Sequence, residues 1–183
     1  MALTLNDIET LFADAGERLY GGEAISQAAH ALQSAQLAER DGCSDALIAA
    51  CLLHDLGHMV FEQGDDDVRA GQDDLHQYRI LPFLRGLFDD AVLGPIGLHV
   101  DAKRYLSAVE PEYLASLSDA SIASLALQGG VMDAAQAERF IQQPHAEAAV
   151  RLRRYDDAAK VPDLVTPGLD HYLPLLQRLA KSA

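Results

Sequence analysis

The sequence predicts an all-α fold, on three observations. Apolar residues recur at helical spacing along most of the chain, as in Ile8, Leu11, Phe12 and Ala15, a repeat that puts them on one helix face. No stretch shows the strict polar–apolar alternation of a half-buried strand. No internal repeat, low-complexity tract or linker divides the 183 residues, so one domain over 1–183 is expected, long enough to enclose a real core.

The elements follow in order. The N-terminal run MALTLNDIETLF lacks the basic start and apolar core of a signal peptide and reads as the first helix, loosened or ended at Gly16. Tyr20-Gly21-Gly22-Glu23 is a loop. A second helix covers about 26–39 and carries His30. Ser44 is a good N-cap for a third, rich in Ala, Leu and Ile, that carries Cys51 to Asp55 and loosens at Gly57. Residues 62–74, with two glycines and a run of aspartates, form a loop. Helical pattern resumes near Leu75, breaks at Pro82 and near Asp89-Asp90, and runs on to about His99. Short helices cover about 110–117 and 118–127, Gln128-Gly129-Gly130 turns, and helices over about 133–142 and 146–159 follow. Pro162 and Pro167 punctuate the connection to a last helix.

Composition excludes several function classes. The formal charge of −14 argues against a nucleic-acid-binding surface, which needs a positive face. No apolar run approaches the roughly 20 residues of a membrane helix. The two cysteines, Cys43 and Cys51, form no CxxC, which leaves no disulfide framework and no thiolate zinc site. A soluble, cytoplasmic protein is expected. Against so acidic a background the basic clusters stand out: Lys103-Arg104, and Arg151, Arg153 and Arg154. A small anionic substrate needs a few cations at one place, and Lys103 and Arg153 are the candidates.

The segment Leu52-Leu53-His54-Asp55-Leu56-Gly57-His58 puts two imidazoles and a carboxylate within five residues. Adjacent His and Asp can reach one metal ion from a single turn, and His58 falls on the same helical face as His54. Further histidines lie at intervals of about one helix–loop–helix: His30 to His54 is 24 residues, Asp55 to His76 is 21, and His76 to His99 is 23. Successive antiparallel helices can aim such residues at one point. Imidazole and carboxylate without thiolate suit iron or manganese.

His30, His54-Asp55 and a later Asp resemble the H…HD…D pattern of the HD-domain superfamily, all-α metal-binding proteins that are mostly phosphohydrolases. The segments Tyr20-Gly21-Gly22-Glu23-Ala24-Ile25-Ser26-Gln27, Val100-Asp101-Ala102-Lys103-Arg104-Tyr105-Leu106, Pro111-Glu112-Tyr113, Leu127-Gln128-Gly129-Gly130 and Arg153-Arg154-Tyr155-Asp156-Asp157-Ala158-Ala159-Lys160 resemble, more narrowly, the PhnZ-type oxygenases of phosphonate degradation. The likeness spans about 17–160. It implies a mixed-valent Fe(II)/Fe(III) pair with O₂ as co-substrate. One iron would take His30, His54, Asp55 and Asp156; the second would share Asp55 and take His76 and His99. Asp157 stands beside Asp156 and could also reach inward; the pattern favours Asp156.

The same resemblance implies a catalytic set of His54, Asp55, Tyr20 and Glu23. It implies a substrate set of Tyr20, Glu23, His58, Lys103, Ser121, Ser124 and Arg153, with Tyr20 and Glu23 on a loop that caps the site and meets a substrate amine. His145 and His171 match nothing and read as surface residues. Ala28 and Ala29 stand where the family has larger side chains, and Val131 where it has proline. The expected reaction is O₂-dependent cleavage of the carbon–phosphorus bond of a 1-hydroxyphosphonate, with 2-amino-1-hydroxyethylphosphonate giving glycine and phosphate. The trimethylammonio analogue, giving glycine betaine, is one alternative. A metal-dependent HD phosphohydrolase and a ligand-binding HD sensor are others.

Overall fold

The computed structural model describes residues 2–20, 23–61 and 71–181. Gly21-Gly22 and most of the loop expected over 62–74 lie outside the described residues. The described residues form helices and the turns that join them, with a single isolated bridge between Leu19 and Ser26. Among them no helix is long and apolar enough to cross a membrane.

Local chemistry sets the helix starts. Thr4 and Asp7 form a capping box on α1 (Leu5–Ala15), and Gly16 closes its C-terminal end. The Ser26 side chain accepts the Ala29 N–H at the start of α2 (Gln27–Arg40), and Ser44 accepts that of Leu47 at the start of α3 (Asp45–Leu53). Ala28 packs against Gly16, where an added Cβ would lie only 2.8 Å from the Ala28 Cβ. The small residue at 28 is therefore part of how α1 and α2 meet.

From Leu47 to Leu53 every residue of α3 is buried, so α3 is the central helix rather than an amphipathic one. It packs against α2, against the 20-residue α7 (Asp90–Val109), against α11 (Ala146–Ala158) and against the terminal α12 (Leu169–Leu179). Shorter helices fill the remaining segments: α4 (Leu56–Phe61), α5 (His76–Arg79), α6 (Leu81–Leu84), α8 (Tyr113–Ser116), α9 (Asp119–Leu127) and α10 (Ala134–Ile141). One large apolar cluster surrounds α3, and two smaller ones join α7 to α10 and α11, and α7 to α8 and α9.

Three differences from the sequence reading bear on function. The third helix stops at Leu53, so His54 and Asp55 sit in the break before α4 rather than on a continuous helix. Gly57 does not end a helix. It lies inside α4 against α5, where a Cβ would come within 2.8 Å of the His76 carbonyl oxygen. The helix expected to finish near His99 continues to Val109 despite Pro95, which places His99 mid-helix and carries Lys103 one turn further along the same face.

Candidate metal centre

Five segments deliver six side chains to one buried point. His30 comes from α2, His54 and Asp55 from the α3–α4 break, His76 from the first position of α5, His99 from the middle of α7, and Asp156 from the last turn of α11. All six are at most 7% exposed. They fall into two sets whose ligand atoms lie within 4.8 Å of one another: His30, His54 and Asp156, and Asp55, His76 and His99. Asp55 faces both. Its Oδ1 lies 3.2 Å from His76 Nε2 and 3.5 Å from His99 Nε2, and its Oδ2 lies 3.3 Å from His54 Nε2 and 3.6 Å from His30 Nε2.

The outward nitrogens fix the tautomers. His30 Nδ1 is 2.9 Å from the Ala159 carbonyl, His54 Nδ1 is 2.9 Å from that of Cys51, and His99 Nδ1 is 2.7 Å from that of Ile96. A carbonyl only accepts, so each Nδ1 carries the proton, and a neutral ring then turns a bare Nε2 lone pair inward. His76 Nδ1 likewise donates to Asp74 Oδ1 at 2.7 Å. Yet the Nε2 atoms of His30 and His54 approach to 3.2 Å, and those of His76 and His99 to 3.1 Å. Two facing lone pairs at that distance need a cation between them. Asp156 Oδ1 is enclosed without a hydrogen-bond donor among the described residues. Both pairs therefore have the arrangement of metal-binding imidazoles held by outer hydrogen bonds, and the donor set fits iron or manganese.

The charges of the cluster agree. Burial would raise the Asp55 carboxyl, but the His54 and His76 imidazoles overcome it and hold it well below the usual carboxylate range. Burial acts against ionised Asp156 too, and Arg153, His54 and His30 hold it low. Burial pushes His30 down to about 4 and His99 to about 3. His76 goes the other way: its bonds to Asp55 and Asp74 outweigh burial and push it up to about 10. The carboxylates stay ionised and their charge outweighs burial at His54 and His76, raising both imidazoles, so the cluster draws positive charge and makes a site for a cation.

Next to this cluster lies a cationic shelf. Of the five basic residues in the two sequence clusters, only Lys103 and Arg153 are buried, at 2% and 5% exposure. Lys103 Nζ donates to Ser124 Oγ at 2.8 Å. Burial first, then the neighbouring Arg153, push the lysine down to about 7. Arg153 reaches Asp156 Oδ2 at 2.8 Å and also pairs with Asp157. Asp157 in turn accepts from Tyr113, so it binds the arginine while Asp156 faces the imidazoles. Ser121 and Ser124 lie on α9 beside Lys103. Tyr20 stacks on His30 with centroids 3.9 Å apart, and burial, with the Asp156 and Asp55 carboxylates nearby, pushes its hydroxyl well above the usual range. Glu23 pairs with Lys160 at 3.1 Å. His58 Nδ1 lies 3.2 Å from Asp74 Oδ2, and its ring lies against His76. His145 and His171 are exposed and lie away from the cluster.

No protein-family model matches the chain. It is 42% identical over 163 residues to the hydroxymethylphosphonate dioxygenase of Gimesia maris, covering 88% of this chain and 81% of that protein. It is 38% identical over 169 residues to the 1-hydroxy-2-(trimethylamino)ethylphosphonate dioxygenase (glycine-betaine-forming) of Leisingera caerulea, covering 92% and 86%. The chain belongs to the phosphonate dioxygenase family. An uncharacterized protein of Acanthamoeba polyphaga mimivirus is also similar, at 33% over 175 residues, with 94% and 80% covered. As a phosphonate dioxygenase the chain is an oxidoreductase, and its buried His and Asp groups make it a metal-dependent one.

Sequence reasoning passed over three residues beside this cluster. Asp74, between His58 and His76, carries a local signal: its carboxylate also accepts the His76 backbone N–H two residues on, an Asx turn. Ser118 caps α9, and its hydroxyl also accepts from Lys160. Lys160 sat inside a recognised motif with no role given to it.

Proposed function

We propose that this chain cleaves the carbon–phosphorus bond of a 1-hydroxyphosphonate with O₂ at a mixed-valent Fe(II)/Fe(III) pair. The observation that carries the reading is the repeat of one arrangement: two imidazole pairs with facing Nε2 atoms, joined by the two oxygens of Asp55. His30, His54, Asp55 and Asp156 would hold one iron, and Asp55, His76 and His99 the other. The bound pair supplies the redox chemistry with O₂. Because these ligands come from elements spread over 30–156, we take the chain as one HD-type domain.

The rest of the chain's work is positioning. Lys103 and the remaining Arg153 N–H groups, with the Ser121 and Ser124 hydroxyls, cradle the phosphonate dianion. His58, steadied by Asp74, would donate to the same oxygens. Tyr20 covers the His30 side, and together with the buried helices it keeps bulk water from the reacting carbon.

The names of the two curated relatives differ in the carbon's substituent and share a 1-hydroxyphosphonate core, and that core is what we carry over. Atoms balance for each member. Hydroxymethylphosphonate and O₂ give formate and phosphate; 2-amino-1-hydroxyethylphosphonate and O₂ give glycine and phosphate; the trimethylated compound gives glycine betaine and phosphate. Between the two cationic members, Glu23 favours the primary ammonium, which has N–H groups to donate, over the trimethylated one, which has none.

Oxygen dependence tests the reaction. Phosphate release from these compounds should stop under anaerobic conditions and match O₂ uptake one to one in air. Release that persists without O₂, or rapid hydrolysis of simple phosphate esters, would instead establish a phosphohydrolase.

Asp74 gives a second measurement. Its oxygens hold the outer nitrogens of His76 and His58, and losing such a partner typically costs about 10–100-fold in metal affinity. Asp74→Asn should therefore release one iron equivalent to a chelator about that much more readily and leave the other as in the parent. Equal loss of both irons would disconnect Asp74 from the His76 pair.

A further inference from the structure

The turn that follows α11 is fastened to α2 by one side chain. Gln33 lies on α2 three residues after His30, so the two share a helix face. Its amide meets the main chain of Val161 on both edges: Nε2 donates to the Val161 carbonyl at 2.8 Å, and Oε1 accepts the Val161 N–H at 3.0 Å. Gln33 is 2% exposed, and a glutamine buried so deeply is held by its hydrogen bonds rather than by apolar packing. What it grips is the stretch 159–161. Helix α11 ends at Ala158, Ala159 leaves helical backbone at ψ 50°, and Pro162 disfavours helical backbone at Val161. These residues therefore have no helical ladder of their own to fix them. Within the stretch, the Ala159 carbonyl accepts the His30 Nδ1 proton at 2.9 Å, and the Ala159 N–H reaches back to the Asp156 carbonyl at 3.3 Å. One turn thus carries the outer partner of His30 and is tied to Asp156, and Gln33 pins it to the helix of the former. His54, His76 and His99 take their outer bonds from Cys51, Asp74 and Ile96, in other segments.

We propose that Gln33 is a positioning residue for one metal of the pair and not for the other: by clamping Val161 it fixes the Ala159 carbonyl, which keeps His30 Nε2 turned inward toward His54 and Asp156. The inference rests on the proposed function for the two metals and adds what holds one of them independently. Gln33 touches neither metal nor substrate and acts through His30 alone.

The test times the release of iron to a chelator from the loaded parent, Gln33→Met and Gln33→Glu, with circular dichroism to confirm the fold. Methionine keeps the length of the side chain and drops both bonds. Gln33→Met should release one equivalent about tenfold faster, the low end for loss of an outer partner, and leave the other at the parent rate. Gln33→Glu keeps an acceptor for the Val161 N–H and should lie between; it carries the same comparison should Gln33→Met fail to fold. In His99→Ala, which retains only the His30 set, Gln33→Met should speed release of the single iron by the same factor. In His30→Ala it should change nothing, because the residue it acts through is gone. In the metal-free protein, the His30 Nδ1 proton, followed by nuclear magnetic resonance, should exchange with solvent about tenfold faster in Gln33→Met, while those of His54 and His99 keep the parent rates. Faster loss of both irons, faster loss of neither, or an equal effect in His30→Ala overturns the inference. If the parent takes up fewer than two metals, the proposed pair fails instead, and exchange at His30 still decides the role of Gln33.

Discussion

Replacing His99 with alanine should leave the protein helical, halve its bound iron and stop phosphate release. The reasoning starts from geometry. His99 is 1% exposed and meets His76 Nε2 to Nε2 at 3.1 Å, with only Asp55 completing that set. Three protein ligands cannot lose one and hold an ion tightly. Outer-shell partners alone cost about 10–100-fold when removed, so a ligand should cost at least about 100-fold in metal affinity and turnover. The other set keeps His30, His54 and Asp156 intact, and its metal should stay. Asp55→Ala should do more: that carboxylate faces both pairs, so both irons should go. Iron per chain, with far-ultraviolet circular dichroism to confirm the fold, separates the outcomes. Two full equivalents retained in both His99→Ala and His76→Ala would sink the two-metal reading.

Much of this cluster was legible in the sequence because its side chains are the residue types that helices rarely bury without reason. His30, His54, Asp55, His76 and His99 stood out by spacing, and all lie in the cluster. What the pattern could not supply was direction. Periodicity placed His54 and His58 on one helix face, but the chain breaks after Leu53, and His58 turns to Asp74 and His76 instead. Adjacent Asp156 and Asp157 are equivalent to any composition argument. Their roles separate only when Arg153, one helical turn earlier, binds Asp157 and leaves Asp156 a face toward His30. Lys160 was invisible for a similar reason: its partner Glu23 is far away in sequence, and no local pattern reports a long-range ion pair. The Gly57 approach to His76 was misread as a helix end because a glycine that removes a Cβ and a glycine that stops a helix look identical in sequence.

Replacing Lys103 with methionine should make the metal-free protein more stable while weakening phosphonate binding. Lys103 is 2% exposed, and burial, with Arg153 beside it, pushes its pKa from 10.5 down to about 7. Between those two values the unfolded chain binds a proton that the folded one does not. Stability therefore rises with pH across that window, and the folded protein carries a cost at neutral pH on the order of 4 kcal/mol. Methionine keeps the apolar stem and drops the charge, so most of that cost should go, less about 1 kcal/mol for the lost bond to Ser124. For a chain of this size the gain corresponds to roughly 5–10 °C in Tm. The parent's urea midpoint should climb between pH 7 and 9, and the variant's should stay nearly flat. Substrate affinity should move oppositely. A buried cation meeting a phosphonate oxygen is worth about 1.5–3 kcal/mol, so KM should rise roughly 10–100-fold. A variant that loses stability, or keeps the parent's pH slope, would show that the cost of burying this lysine is met within the fold. The opposed signs would instead mark Lys103 as a charge that the fold tolerates at a loss and the substrate makes use of.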